Sequence, residues 1–489
     1  MAMIVALGSV VSMAGDLNPP AGPIVPTMKP LDQVEPRVVI STANTPGDAD
    51  SLFRITQPGS YYLTGNVAGV AGKSGIEVAA ADVTIDLNGF SLRGAPGSLS
   101  GIVGGSNGAV RVLNGVVRGW GGAGIDVSLA ASGLVERVES SGNAGAGISA
   151  GAFFTVRGCT ATNNGAGGIA ILDGLIENCL ADINGGAGLS AVCCSKITGC
   201  RSQGNTGPGI FATQDMVIEG FEAFANERGI EVGDGCTISN GSIGFSILEG
   251  IQSGDNCRIA SCTVRGNGAD GIRCGDGASV TECAAESNGA AGIVVDTGSL
   301  VRGCVARANT ESGIAASTRS LISDCVAHLN GLHGISALGA TIVRCSAVEN
   351  TIVGITSPSS HIADCHASAN GFVGIHGGTT STINGCTASF NDGAGILVSR
   401  DCRLVDNDCT TNGGAGIHAT IEDNRIEGNT CTDNGLGIDV DGGGNLIIRN
   451  SASGNTAANY DIVAGNHVGS ILVNPGTITS GNPWANFEF

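Results

Sequence analysis

The sequence Asn143-Ala-Gly-Ala-Gly-Ile148 returns in varied form along most of the chain, and its spacing decides the fold. A later copy reads Asn330-Gly-Leu-His-Gly-Ile335. A Gly followed by Ile, or once by Leu, occurs 18 times, and after Ile148 each step is 20 or 21 residues. These Ile or Leu positions are 76, 102, 125, 148, 169, 189, 210, 230, 251, 272, 293, 314, 335, 355, 375, 396, 417 and 438. A fixed period of roughly 20 to 50 residues indicates a stacked repeat architecture.

Two further residue types repeat within the period. Asn lies five positions before the Ile at 143, 164, 184, 205, 267, 288, 309, 330, 350, 370, 391 and 412. Cys lies ten positions before it at 159, 179, 200, 262, 283, 304, 325, 345, 365 and 386. Asn407, Asn429 and Asn450 continue the Cys column after Cys386. The short alternating runs between these positions suit strands of about three to five residues.

A coil of such strands explains the columns. Each turn pairs with the turn below it through parallel hydrogen bonds at about 4.8 Å, so identical residues form ladders. Apolar residues and Cys point inward, Asn lies at a bend, and no turn buries its apolar face alone. We predict an all-β fold, a single-stranded parallel β-helix (solenoid) of about 18 turns with N- and C-terminal caps. Leucine-rich repeats have a similar period but require an L-x-x-L-x-L pattern, which is absent.

The eighteen cysteines fit this picture better as a core ladder than as disulfides. Cysteines stacked in register have parallel Cα–Cβ bonds, which suit the disulfide torsion angle of about 90° poorly. Free thiols are small and readily buried. The C-x-x-C spacing that is typical of zinc sites is missing.

Composition divides the chain into five segments. The predicted segments are 1–14 as a signal peptide, 15–36 as a Pro-rich linker, 37–75 as the N-terminal cap and first strands, 76–450 as the repeats, and 451–489 as the C-terminal cap. The first segment has an apolar run and small residues before Ala14, as in a secretory signal, although no basic residue precedes Lys29. No later run is apolar and long enough to span a bilayer. We therefore predict an exported protein, extracellular or in the periplasm or cell envelope, and not an integral membrane protein.

The overall composition excludes several classes of protein. The chain has 489 residues, of which 81 are Gly and 13% are charged, but it lacks the G-X-Y period of collagen. A hydrophobic content of 42% is too high for a disordered chain. Lys and Arg number 23 against 43 Asp and Glu, giving a formal charge of −20. Nucleic acid is therefore excluded as a partner, because phosphate binding requires clustered Lys and Arg.

The chain resembles the right-handed parallel β-helix proteins of the pectin-lyase-like superfamily over about residues 50–465. The resemblance rests on the N-G-x-x-G-I turns, on the QPGSYYLTG segment at 57–65, and on DVTIDLNG at 82–89. It implies right-handed coiling. The superfamily includes polysaccharide lyases, glycoside hydrolases, epimerases and noncatalytic surface proteins, so the resemblance leaves the function open.

One candidate site is a column of carboxylates. Asp234, Asp255 and Asp276 lie four residues after the Ile on three consecutive turns. Stacked carboxylates repel one another, and a Ca²⁺ ion bound among them would relieve that repulsion. Alternatively, Asp simply favours turns flanked by Gly. Calcium is the one cofactor that the sequence suggests.

A second candidate is a catalytic arginine. Arg265, Glu286, Arg307 and His328 lie seven residues before the Ile on four successive turns, which is typical of a surface ion-pair ladder. Some lyases of the superfamily pair Ca²⁺ with a proton-abstracting arginine, and the resemblance would assign that role to Arg265 or Arg273. Acidic sugars would be repelled by a chain of charge −20, so this mechanism requires the cation.

The repeat is least regular between residues 211 and 249. Phe221 occupies a Cys position there, and Phe224 and Phe245 share one offset from their Ile residues. The nearby carboxylates that could bind a substrate are Glu219, Glu222 and Glu231. Aromatic rings beside carboxylates suit sugar contact or glycoside hydrolysis, whereas phenylalanines also stack inside β-helices.

We interpret the chain as an exported scaffold with an extended acidic surface that binds a polysaccharide or a cell-envelope partner. The alternative is a calcium-dependent polysaccharide lyase, or another carbohydrate-active enzyme, with a groove near residues 219–307. Steps of 20 or 21 residues leave little room for the long loops that wall the grooves of family enzymes, which favours the noncatalytic interpretation. The sequence does not specify the oligomeric state.

Overall fold

The structure is a computed structural model that describes residues 35–105, 108–192, 194–473 and 481–489. The predicted signal peptide and nearly all of the predicted linker lie outside these residues. Every named strand pair in the described ranges is parallel, and these ranges contain no helix. Accordingly, none of the described residues forms a helix that could cross a membrane.

The strands form two long sheets that run along the stack. Sheet A takes two strands from most turns and has 40 in all, and sheet B takes one strand from each turn. The strands of sheet B are Ser51–Ile55, Ser74–Val78, Ile102–Gly104, Ile125–Val127, Ile148–Ala150, Ile169–Ile171, Leu189–Ala191, Ile210–Ala212, Ile230–Val232, Ile251–Ser253, Ile272–Cys274, Ile293–Val295, Ile314–Ala316, Ile335–Ala337, Ile355–Thr356, Ile375–Gly378, Ile396–Val398, Ala415–Ala419, Leu436–Val440 and Ala458–Ile462.

A single turn shows how the repeat maps onto this architecture. Ile148–Ala150 lies in sheet B, and Phe154–Arg157 and Thr160–Thr162 follow in sheet A. Ile148 pairs with Ile169 on the next turn, and both side chains are buried. The residue that directly follows the inward Ile in a sheet B strand points outward, because side chains alternate between the two faces of a sheet. The predicted inward column of Ile is therefore confirmed.

Sheet B has 20 strands, so the coil has about 20 turns, close to the predicted 18. The two additional strands lie at the ends of the stack. Phe53 pairs with Ile76, and Ile438 pairs with Tyr460, so aromatic residues replace Ile in the first and last turns. The Gly-Ile pattern missed these turns because the larger side chains occupy the same column.

The Asn column forms a hydrogen-bonded ladder inside one bend. The backbone N–H and the side-chain amide of Asn143 both donate to Oδ1 of Asn164, at 3.2 and 2.9 Å. The side chain of Asn164 in turn donates to the carbonyl of Ser140, on the turn below, at 3.1 Å. Buried polar groups are stable only when they are paired in this way. The ladder satisfies the bend and fixes the register of successive turns.

The Cys column is likewise buried along its length. The thiol of Cys159 donates to the carbonyls of Val135 and Arg157, at 3.5 and 3.4 Å. After Cys386, Asn occupies the column. The Cys386 N–H donates to Oδ1 of Asn407, the next member, at 3.0 Å. Asn407, Asn429 and Asn450 then form a ladder of their own, as the sequence predicted. No disulfide joins the Cys column within the part of the chain that the structure describes.

The irregular segment is explained by packing. Phe221 is buried in place of a Cys, and a Cβ atom on Gly241 would overlap its ring, so Gly makes room for Phe on the next turn. Phe224 pairs with Gly244 rather than stacking on Phe245, which differs from the shared offset seen in the sequence. Phe245 lies at the following bend with φ 57° and is 60% exposed. The shared offset of the two Phe residues did not predict their pairing, because the bend before Ile251 is one residue longer than the bend before Ile230.

Candidate functional site

The predicted site residues fall on three different surfaces of the coil. Glu219 and Glu222 end and begin successive strands of sheet A, Val217–Glu219 and Glu222–Phe224. Lys196 forms an ion pair with Glu219, and its hydrogen bond lowers the pKa of that carboxyl. Nε of Arg201 lies 3.9 Å from Oε2 of Glu222. Both carboxylates are thus partnered by cations on the turn below.

Arg265 also lies on sheet A, away from Arg273. It ends the strand Thr263–Arg265, and its guanidinium lies over the exposed ring of Phe245 at 5.8 Å from the centroid. Arg273 is in the strand Ile272–Cys274 of sheet B. The two arginines therefore cannot serve one reaction centre together, and the catalytic role proposed for either stays a prediction.

Glu231 and Arg273 are brought onto one outward column of sheet B. Phe211 pairs with Glu231, Glu231 with Gln252, and Gln252 with Arg273 on successive turns. We call these four residues the sheet B column. Adjacent members are about 4.8 Å apart along the stack. Phe211 is 37% exposed at one end of the column.

Charged residues in the adjoining bend surround the sheet B column. Arg228 donates to Glu249 at 2.8 Å and to Glu231 at 3.2 Å. Although burial opposes the charge on Arg228, the hydrogen bond to Glu249 raises its pKa. Arg273 donates to the buried carboxylate of Asp270 at 2.8 Å. These ion pairs hold the polar side chains of the column in defined positions.

The three aspartates of the predicted calcium site form an exposed ladder in the bend after sheet B. Oδ1 of Asp234 accepts the backbone N–H of Asp255 at 2.8 Å, and Oδ1 of Asp255 accepts that of Asp276 at 2.9 Å. Asp276 accepts the N–H of Thr297 in the same way, at 2.9 Å. Each carboxylate therefore stabilises the next turn, which supports the interpretation of Asp as a turn residue. The calcium role stays a prediction.

The structure reveals a further cluster that the sequence reasoning missed. His418 and Asp439 pair on adjacent sheet B strands, and Asp461 pairs with Asp439 on the next turn. Nε2 of His418 lies 3.6 Å from Oδ2 of Asp439 and 2.9 Å from Oδ2 of Asp441. Burial and the carboxylates of Asp441 and Asp461 raise the pKa of Asp439, and His418 opposes that rise.

A simple signal in the sequence marks part of this cluster. His418 and Asp439 each follow the inward Ile directly, and Asp461 follows Tyr460, which holds the same inward position. The column mixes His with Asp, so it is not visible as a repeat of one residue type. Asp441 carries no such signal, because it lies in the bend beyond the strand.

A shallow groove lies beside the cluster on the outer surface. It has a volume of about 390 Å³ and is lined mainly by apolar side chains, among them Phe372, Leu397 and Leu436. His418 and Asp439 form part of its wall. Phe372 is 53% exposed. The groove therefore joins an apolar floor to a group of ionisable side chains.

Several solved structures are similar to the chain at low identity. Similar solved structures include the A-module of the mannuronan C-5 epimerase AlgE4 from Azotobacter vinelandii, at 12% identity over 74% of this chain and 88% of that one, with a TM-score of 0.27. A point mutant of the periplasmic alginate epimerase AlgG gives 11% identity, 78% of each chain and a TM-score of 0.24. Pectate lyase Pel9A gives 16% identity, 53% of this chain, 68% of that one and a TM-score of 0.24. Identities and TM-scores this low carry no argument about function.

The sequence itself gives the firmer assignment. No curated protein matches the chain significantly in sequence. The family model described as "Right handed beta helix region" matches residues 100–245, 246–380 and 371–473, about three quarters of the chain. The matched residues coincide with the stacked turns and their Ile and Asn ladders. The chain therefore belongs to the family of right-handed β-helix proteins.

Proposed function

We propose that this protein is an exported β-helix scaffold that binds a neutral polysaccharide along sheet B. The observation that carries the proposal is the sheet B column, which places Phe211, Glu231, Gln252 and Arg273 on four successive turns. The column combines one exposed ring with three side chains that donate or accept hydrogen bonds.

The chemistry of the column suits a chain of sugar rings. The face of Phe211 offers an apolar surface for the C–H face of a pyranose, and aromatic side chains contribute strongly to binding surfaces. Glu231, Gln252 and Arg273 provide carboxylate, amide and guanidinium groups for vicinal hydroxyls. Because the turns are spaced by about 4.8 Å, each turn meets roughly one sugar unit of a chain that lies along the stack.

Charge favours a neutral polymer over an acidic one. The chain has 23 Lys and Arg against 43 Asp and Glu. A polyuronate would approach against the field of this negative surface. Arg273 in the column is already paired with Asp270, and Arg228 beside the column is already paired with Glu249. A neutral polymer avoids both difficulties.

The same contacts favour binding over lyase chemistry. A base must be free to reach the proton that it removes, and the guanidinium of Arg273 is engaged by the buried carboxylate of Asp270. The calcium-dependent lyase remains the alternative prediction, and it would require both a cation and release of this ion pair.

The proposal is tested by calorimetric titration of the folded protein with a panel of neutral and acidic polysaccharides. We expect at least one neutral polymer to bind, and Phe211→Ala to weaken that binding about ten-fold, which corresponds to about 1.4 kcal/mol. Ser149→Ala is the matched control, because Ser149 is also an outward residue in the middle of a sheet B strand. Absence of binding across the panel, or equal binding by Phe211→Ala, would refute the proposal. Fractionation of cells that produce the full chain tests export.

A further inference from the structure

Three side chains on successive sheet B turns and the adjoining bend converge at one point. The ligand atoms of His418, Asp439 and Asp441 all lie within 4.8 Å of one another. It is the one such group of three among the His, Cys, Asp and Glu residues that the structure describes. We propose that these three residues form a binding site for a first-row divalent metal ion such as Zn²⁺.

The distances between the side chains bracket the geometry of such an ion, and the shorter one is a hydrogen bond between His418 and Asp441 that the ion would replace. Ligands at about 2.1 Å from a tetrahedral centre are separated from one another by about 3.4 Å. Nε2 of His418 is 3.6 Å from Oδ2 of Asp439 and 2.9 Å from Oδ2 of Asp441. Asp441 is the most exposed of the three, with 57% of its side chain accessible, so a small rotation adjusts its position. The strand pairing of His418 with Asp439 fixes the other two ligands.

The local charge is a second observation that points to a cation. Asp439, Asp441 and Asp461 bring three carboxylates together, and no Lys or Arg in the described ranges forms an ion pair with any of them. Elsewhere on sheet B, Glu77 and Glu231 are matched by Arg54 and Arg228, and the lone Asp126 is held by the hydroxyl of Ser128. A bound divalent ion would supply the missing positive charge.

The ligand types select the class of metal. Ca²⁺ prefers a shell made entirely of oxygen atoms, whereas one imidazole with carboxylates suits zinc and its neighbours in the first row. Three protein ligands leave one position open, and the groove lined by Phe372 and Leu436 adjoins it. A water molecule or a small ligand could complete the site from there.

This site is independent of the function proposed for the sheet B column. His418 lies seven turns beyond Arg273, about 34 Å along the stack. Metal binding is measured without any polysaccharide, so failure of one proposal leaves the other standing.

The test uses Co²⁺ with the full-length protein under reducing conditions. Cobalt replaces zinc in most sites, and its absorption spectrum separates thiolate ligands from nitrogen and oxygen ligands. That separation matters because the chain contains 18 cysteines. Equilibrium titration with Co²⁺, followed by competition with Zn²⁺, gives stoichiometry and affinity. The variants are His418→Ala and Asp441→Asn, and His376→Ala is the matched control, since His376 lies on the same outward column two turns below.

We expect one Co²⁺ per chain, without thiolate absorption, displaced by one Zn²⁺. His418→Ala and Asp441→Asn should each lower the affinity by about 100-fold or more, while His376→Ala leaves it unchanged. The variants should keep the wild-type circular dichroism spectrum, because both side chains point outward. The proposal is overturned if the wild type binds no Co²⁺, if the absorption is that of thiolate ligands, or if folded His418→Ala binds as tightly as the wild type.

Discussion

Removing one member of the Asn ladder should destabilise the coil far more than removing an ordinary polar side chain. In the middle of the ladder, Asn330 donates from Nδ2 to Oδ1 of Asn350 at 2.9 Å and to the carbonyl of Ala306 at 3.1 Å. Its own Oδ1 accepts the backbone N–H and the side chain of Asn309, at 3.1 and 3.0 Å. The substitution Asn330→Ala removes all four hydrogen bonds.

The magnitude follows from these four bonds. Each is worth about 1 kcal/mol net, and the backbone N–H of Asn309 is left buried without its acceptor. We therefore expect a loss of about 4 kcal/mol in local stability. Asn330→Asp keeps an acceptor for Asn309 but sets a buried carboxylate against Oδ1 of Asn350 and the carbonyl of Ala306, so it should destabilise the coil at least as much as Asn330→Ala.

Native-state hydrogen exchange measures this loss where it occurs. A loss of about 4 kcal/mol should speed exchange of the amides near residues 309 and 330 by about a thousand-fold. Amides many turns away should change little, because turns interact mainly with their neighbours. Asn384→Ala is the control, because Asn384 lies on the outer face of sheet A and should cost under about 0.5 kcal/mol. Equal effects of Asn330→Ala and Asn384→Ala would refute the role of the ladder.

Three further predictions concern other contacts. The core thiols are buried, and burial raises the pKa of one of them, Cys274, to about 12. They should therefore resist a thiol reagent at pH 8 until the protein is unfolded, because the reagent cannot reach them. Rapid labelling of most thiols in the native state would contradict the buried column. Gly241→Ala should lower the melting temperature, because the new methyl group overlaps the ring of Phe221. Adding Phe221→Cys should restore much of the lost stability. If thermal melts show no such rescue, the strain lies elsewhere. The pKa of Asp439 is raised in the folded protein, so its charge destabilises the metal-free fold at pH values above that pKa. Below the pKa of the unfolded chain, about 4, the carboxyl is neutral in both states and has no such effect. Asp439→Asn should therefore raise the melting temperature in EDTA at pH 7, and the increase should vanish near pH 3. A constant difference across that range would show that the carboxyl does not titrate as inferred.

The repeat was predictable because inward positions accept few residue types. At a spacing of about 4.8 Å, the inward position of most turns accepts only Ile, Leu, Val or Cys. The position at the bend accepts mainly Asn. The period is therefore visible in a single sequence. The replacement of Cys by Asn after Cys386 was confirmed for the same reason, since both side chains can serve the N–H of the turn below. The end turns were missed where Phe53 and Tyr460 enlarge the column.

The outward face was harder to predict because solvent accepts almost any residue. The sequence placed Glu231 and Arg273 in one region, and the structure shows both on one column of sheet B, which the sequence did not predict. It could not show that Arg265 lies on the other sheet beside Phe245, because one offset in a turn says little about which surface a side chain meets. The cluster around His418 depends on Asp441, which lies in a bend where side-chain direction is not set by strand alternation.

The Asn ladder also gives the coil a direction of growth. Along most of the ladder, the N–H and side-chain donors of one Asn bond to Oδ1 of the Asn one turn later, as Asn143 does to Asn164, and Ser246 interrupts the pattern after Asn226. A chain that leaves the ribosome from its N-terminus therefore always exposes a top rung with unsatisfied donors, which the next segment to emerge is able to fill. At the far end this ladder finishes on Asn459, and the ladder of Asn407, Asn429 and Asn450 finishes on Asn486. A third, short ladder of Asn424 and Asn445 finishes on Asn466. Synthesis and assembly thus proceed in the same sense, each completed rung serving as the template for its successor.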